Sequence, residues 1–223
     1  MGNHKITFAK PFILMMYGFP GVGKSAFAKQ LAEELGVIHL QADRVRVDLF
    51  GENNSPGAYK GAKKVVNYIA QTFLKNGMSV VYDSSTLRAS ERKKVRELAH
   101  ANKAQAVLVW LQTDPETAFD KAAKRDRRRS EEKYAAEYDE QTYREILSYM
   151  QNPEINENYI VISGKHTFSS QRSAVVKRFY EIGVIGPDDM ASNVVKPGLT
   201  NLVPKPAIQT RGDIIRRNIS IGS

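Results

Sequence analysis

Residues 18–25 read Gly-Phe-Pro-Gly-Val-Gly-Lys-Ser, which fills every fixed position of the pattern G-x-x-x-x-G-K-[ST]. The apolar run Phe12 to Tyr17 precedes it. Lys24 to Leu35 follows, with Phe27, Leu31 and Leu35 on one helical face and Gly36 closing the helix. In this strand–loop–helix setting, glycines let successive backbone N–H groups curl around a phosphate, and the helix N-terminus adds partial positive charge. Lys24 is placed to reach β/γ-phosphate oxygens, and the Ser25 hydroxyl to take a position on Mg²⁺. Gly18, Phe19, Pro20, Gly21, Val22, Gly23, Lys24 and Ser25 are therefore the expected nucleotide-binding residues, with Ser25 as the metal contact.

Such a unit needs a layered α/β fold around it. Short apolar runs at Val37 to Leu40, Met78 to Asp83, Ala106 to Leu111 and Tyr159 to Ile162 read as further strands. Helical patterns fall after Asp43, at Ala58 to Lys75, at Glu91 to Asn102, from Pro115 into the charges of Lys121 to Arg129, and at Tyr134 to Met150. This alternation predicts a parallel sheet with helices on both faces. It occupies residues 10–163, so residues 1–163 form the expected nucleotide-handling domain.

Beyond Gly164 the texture changes. Ser169 to Tyr180 reads as one amphipathic helix, glycines and prolines make residues 183–207 irregular, and the segment from Arg211 to Gly222 resembles a short strand or hairpin arm. Residues 164–223 are expected to form a basic C-terminal extension of open role. They carry nine Lys or Arg against four Asp or Glu, a net +5 of the chain's +9.

The absence of Cys excludes a disulfide framework, thiolate metal ligation and a cysteine nucleophile, and it accords with a cytoplasmic setting. The longest apolar stretch, Pro11 to Tyr17, falls far short of the ~20 residues of a membrane-spanning helix. No cleavage-site pattern follows it, so neither a membrane partner nor a signal peptide is expected. The basic balance suits phosphate or nucleic acid.

No strand ends in Asp-Asp or Asp-Glu as a motor ATPase would require, and no Asn-Lys-x-Asp reads a guanine base. Asp43 and Arg46 instead stand three residues apart at the start of a helix after the second strand. They share a face there, in the crevice where strand C-termini meet ligand. Asp43 is the expected acceptor of a hydroxyl proton, and Arg46 the expected grip on phosphate. Asp83 ends another strand and is followed by Ser84, Ser85 and Thr86. Asp83, Thr86, Arg88 and Arg92 are the expected acceptor-binding residues. Lys121, Arg125 and Arg128 share one face of a continuous helix, and such clustering calls for an anion. Arg125 and Arg128, with Arg129 behind them, are the expected lid arginines. The four histidines show no metal-ligand spacing, and the tyrosines are scattered.

With these residues the chain resembles the P-loop kinases grouped with the polynucleotide 5′-hydroxyl kinases, zeta-toxin-like kinases and related small kinases. The resemblance rests on residues 18–25, 43–51, 80–99 and 109–129, and on the segment 152–162 leading to the last strand. It implies an adenylate-kinase-like sheet ordered 2-3-1-4-5, with ATP and Mg²⁺. It also implies Asp43 as the base, Arg46 on the phosphates or acceptor, Asp83 at the acceptor site, and Arg125 or Arg128 from the lid. The family often has Asp-Ala-Thr-Asn where this chain has Asp83-Ser84-Ser85-Thr86.

The expected function is transfer of the γ-phosphoryl of ATP to a hydroxyl, with the 5′-hydroxyl of RNA or DNA as the main acceptor. A nucleoside, sugar or antibiotic hydroxyl is the alternative. A different class is a regulatory ATP-binding module whose basic tail recruits nucleic acid or protein. The extension is also a candidate homodimerisation arm.

Overall fold

All six residues of strand β1, Phe12–Tyr17, are buried, as an unbroken apolar run requires of a strand covered on both faces. In the computed structural model, which describes residues 6–125, 128, 132–136 and 138–194, β1 is the centre of a five-stranded sheet. Its companions are β2 (Ile38–Gln41), β3 (Val80–Asp83), β4 (Gln105–Gln112) and β5 (Tyr159–Ser163). Every pairing is parallel. The order β2-β3-β1-β4-β5 is the one the resemblance implied.

The crossovers are helices α1 (Lys24–Leu35), α2 (Ala42–Phe50), α3 (Pro56–Lys75), α4 (Ala89–Ala101), α5 (Pro115–Ala123) and α6 (Glu140–Tyr149). After β5 come α7 (Phe168–Glu181) and α8 (Pro187–Asn193). Alternate residues of β1 face opposite layers. Phe12, Leu14 and Met16 share one apolar cluster with Phe27 and Leu31 of α1 and with Val175, Val176 and Phe179 of α7. Ile13, Met15 and Tyr17 share the other with Val66, Ala70 and Leu74 of α3 and Val95 and Ala99 of α4. At roughly 1.5–3 kcal/mol for each large side chain buried, these two layers fix the helices against the sheet. They hold its C-terminal edge in one shape.

Three expectations change. The helix opened by Pro115 ends at Ala123 instead of continuing to Arg129, since a longer helix would stack Lys121, Arg125 and Arg128 on one face. The helix expected from Tyr134 begins at Glu140, where the Asp139 side chain caps it by accepting from the Thr142 N–H at 2.7 Å. Within the stretch read as irregular, Pro187–Asn193 is helical, with Pro187 at its start and Asp188 and Asp189 in its first turn, both favourable at a helix N-terminus. The arm expected from Arg211 lies outside the described residues. Among the described residues, no helix is long and apolar enough to cross a membrane.

Candidate active site

The phosphate loop joins the end of β1 to α1. Gly23 caps α1 with φ 94°, and a Cβ there would meet nothing within 4 Å. The loop is thus open on the side where a phosphate would sit. Gly21 (φ +83°) is different: a Cβ there would lie 2.0 Å from the Ala118 carbonyl oxygen of α5. The close passage of α5 therefore demands glycine at this point. The Lys24 ammonium donates to the carbonyls of Gly18 at 2.9 Å and Phe19 at 2.8 Å, so it is held over the loop. Burial pulls its pKa down to about 8; Asp83 and Asp43 oppose that effect and Arg125 reinforces it.

Neighbouring strand ends supply the carboxylates. Gln41 of β2 is in register with Asp83 of β3, and Asp43 follows in the first turn of α2. Asp43 keeps 37% of its side chain exposed, open to a cleft of about 930 Å³ shared with Lys24, Ser25, Asp83 and Arg125. Its recessed position raises its pKa, chiefly through burial and then through the negative charge of Asp83, against the opposing charges of Arg46, Arg125 and Lys24. The Asp83 side chain lies 3.2 Å, Oδ2 to Nε2, from His39. That pairing crosses from β2 to β3 and makes His39 more than a strand residue.

Arg46 is fully buried. Its Nη1 donates to the Asn53 carbonyl at 3.1 Å, its Nε is 3.9 Å from Asp43 Oδ1, and its guanidinium lies 5.0 Å from the Tyr59 ring centre. Nε and Nη2 have no hydrogen-bond partner among the described residues. Arg46 thus stands behind Asp43 and does not face the cleft as expected. Arg125 does line the cleft: it donates to the Ala136 carbonyl at 2.6 Å and lies over the Tyr138 ring. Arg128 is exposed and outside the cleft lining. Arg129 lies outside the described residues.

The acceptor side departs most from expectation. Arg92 is fully buried, bound through Nε and Nη2 to both oxygens of Glu157, and donates to the carbonyls of Thr86, Leu87, Gln151 and Asn152. Its donors are spent on joining the loop after β3 to the segment before β5, and none is free for an acceptor. Arg88 flanks α4 and lies over the Tyr149 ring at 4.4 Å, outside the cleft lining. Thr86 is completely buried, and its hydroxyl donates to the Met16 carbonyl. It ties the β3 loop to β1; Thr86 and Asp83 both line the cleft, and Asp83 is the one of the two that brings a carboxylate to it.

Three tyrosines scattered along the sequence meet at the cleft: Tyr59 of α3, Tyr138 before α6 and Tyr149 at its end. A signal was present for the last. Thr142, Glu145, Ile146 and Tyr149 all line the cleft, at spacings that place them on one face of a helix.

The residues present fit a nucleoside triphosphate with Mg²⁺. The loop is open at Gly23, the ammonium of Lys24 stands over it, and Ser25 carries its hydroxyl in the first turn of α1. Sheet order, loop and paired strand-end carboxylates define a kinase-like P-loop protein. More than half of the chain, residues 13–153, matches the sequence profile of the AAA domain family, and the chain belongs to that family. No functionally curated protein matches it in sequence.

Solved structures share the fold. A sugar kinase from Janibacter sp. HTCC2649 superposes with a TM-score of 0.56 at 16% identity, over 81% of this chain and 98% of its own. A gluconokinase from Sinorhizobium meliloti gives 0.54 at 15%, over 79% and 94%. Kti12 of Chaetomium thermophilum, in complex with ADP-AlF3, gives 0.61 at 14%, over 78% and 100%.

Proposed function

We propose that this protein transfers the γ-phosphoryl of ATP to a hydroxyl group of a small molecule. The observation that carries the reading is the placement of Asp43. A carboxylate with a raised pKa opens into the same cleft as the phosphate loop and Lys24, and a general base of this kind suits proton removal near neutral pH.

In the proposed reaction the loop N–H groups and Lys24 hold the β- and γ-phosphates. Asp43 accepts the proton of the acceptor hydroxyl as its oxygen bonds to the γ-phosphorus. The bond from that phosphorus to the β,γ-bridging oxygen breaks, ADP leaves, and Asp43 returns its proton to solvent. Arg125, on the cleft wall, compensates charge on the transferring group. Arg46, behind Asp43, orients the base. Mg²⁺, held through the Ser25 hydroxyl, would neutralise the phosphate oxygens.

A small acceptor is preferred to a polynucleotide 5′-hydroxyl on the evidence of two arginines. Arg92 is consumed by Glu157 and four carbonyls, and Arg88 is stacked on Tyr149 outside the cleft. A nucleic-acid strand gains affinity by placing phosphates on such side chains. The shared fold with a sugar kinase and a gluconokinase supports the same choice. The nucleotide-handling unit is taken as residues 1–163, with α7 packed onto it through Val175, Val176 and Phe179 and the net +5 of residues 164–223 serving another contact.

The test is incubation with γ-labelled ATP, Mg²⁺ and pooled small alcohols, with 5′-hydroxyl RNA and DNA alongside. Labelled small product, lost in Asp43→Asn, is the expected result. Labelled oligonucleotide alone would restore the polynucleotide reading. ATP binding without transfer would favour a regulatory module.

A further inference from the structure

The acceptor side of the cleft is walled by aromatic rings from three places in the chain. Tyr59 comes from the first turn of α3, Tyr138 from the loop before α6, and Tyr149 from the end of α6. Tyr59 and Tyr149 remain 36% and 38% exposed, a large fraction for rings beside a buried site. The charge of Asp43 reaches both Tyr59 and Tyr138, and Tyr138 also feels Tyr59 and Tyr149. All three rings line the same cleft as Asp43, so a hydroxyl presented to Asp43 would lie in the space they wall.

Each ring already carries an arginine. Arg46 lies 5.0 Å from the centre of Tyr59, Arg125 5.3 Å from Tyr138, and Arg88 4.4 Å from Tyr149. A cation over a ring draws on the electron density that would attract a second cation, so these walls suit an uncharged π-face better than an ammonium. An anion is equally poorly served. On this wall Lys63 is committed to Glu91 and to the Ser85 carbonyl. Apart from Lys24 and Arg125, the lining sets Lys60, Lys63 and Lys121 against Asp43, Asp83, Glu91, Glu132 and Glu145, so an anion meets no net positive charge. Lys24 and Arg125 face the nucleotide's phosphates. Among the uncharged lining, Tyr59, Tyr138 and Tyr149 offer aromatic surface and Pro56 and Ile146 apolar surface.

Resting on the phosphotransferase reading, we infer that the acceptor is a neutral alcohol bearing a planar ring, with the ring held against Tyr59 and Tyr149 and the hydroxyl directed to Asp43. A pyrimidine nucleoside and an aryl diol belong to this class. A sugar acid, an amino alcohol and a phosphate-bearing strand do not.

The experiment uses the full chain with Mg²⁺ and a saturating non-hydrolysable ATP analogue. Calorimetry then compares thymidine and 1-phenyl-1,2-ethanediol with glucose, gluconate and a 5′-hydroxyl hexathymidylate. Ring compounds are expected to bind at least about tenfold more tightly than the others, the scale of one good aromatic contact. Tyr149→Leu and Tyr59→Leu are expected to remove that advantage, while Tyr149→Phe and Tyr59→Phe retain it. Thermal melting verifies that each variant is folded, and labelled ATP shows which compounds accept phosphoryl. Preferential binding and phosphorylation of glucose, gluconate or the oligonucleotide would overturn the inference and leave phosphoryl transfer standing. Ring binding indifferent to both Leu substitutions would also overturn it. Analogue binding with no compound bound or phosphorylated would count against the inference and the underlying reading together.

Discussion

Arg92 and Glu157 form a buried two-point ion pair, Nε to Oε2 and Nη2 to Oε1, each at 2.8 Å. The pair clamps α4 to the turn that leads into β5, and Arg96 adds a second cation to Oε2. Burial alone would raise the Glu157 pKa. Hydrogen bonds from Arg92 and the Glu154 N–H, with the charges of Arg92 and Arg96, overcome that and hold it below the usual value.

Removing the carboxylate strands a buried guanidinium, so Glu157→Gln is expected to lose about 3 kcal/mol of stability. Urea unfolding at neutral pH measures this. Because the folded pKa is depressed, the wild-type contribution is fully present above the ordinary glutamate range and disappears as pH falls through the folded value. The difference between wild type and variant should therefore shrink in acid. An equal difference at all pH values would show that the pair acts only through packing.

The phosphate loop gives a second test. Gly21 and Gly23 both have positive φ, so alanine at either strains the backbone by roughly 1–2 kcal/mol. Only Gly21→Ala also drives a Cβ into the Ala118 carbonyl. Gly21→Ala is expected to lower thermal stability clearly more than Gly23→Ala, because α5 must move away from the loop. Equal melting temperatures would contradict the close passage.

These positions also mark what could be read in one dimension. The phosphate loop, Asp43 and Asp83 were legible because each lies within a few residues of a strand end, and parallel strands bring such ends to one edge. The fates of Arg88 and Arg92 were not. Arg92 is decided by Glu157, 65 residues away, and no local pattern connects them. The tyrosine wall was hidden for the same reason, since its rings meet only after three elements pack. The helix opened by Pro115 stops at Ala123 because residues 124–133 offer no apolar side chain to bury, whereas the spacing of Lys121, Arg125 and Arg128 alone suggests a continuing face.

Activity should follow pH through two groups. Asp43 must be ionised to accept a proton, and its raised pKa places the acid limb of kcat/KM above the ordinary carboxylate range. Lys24 must be charged to hold phosphate, so the basic limb falls near its value of about 8. Bound triphosphate favours the ammonium form, and the basic limb of kcat should therefore lie higher than that of kcat/KM. A profile flat from pH 4 to 9 would contradict both assignments.

His39 is expected to position Asp83. A hydrogen bond to a carboxylate is worth about 1.5–3 kcal/mol, so His39→Val should slow transfer roughly tenfold or more if Asp83 matters to the chemistry. His39→Asn, which keeps a donor, should recover part of the loss. In an Asp83→Asn background the His39 substitution should add little. Independent losses in the double variant would show that His39 acts elsewhere.

The central claim is that Asp43 takes the acceptor's proton while the phosphate loop holds ATP. Single-turnover transfer of labelled γ-phosphoryl, compared between wild type and Asp43→Asn at saturating ATP and acceptor, tests it most directly. The rate should fall about 10²–10⁴-fold, with ATP affinity unchanged within about twofold. Transfer at the wild-type rate by Asp43→Asn, with ATP bound normally, would contradict the account.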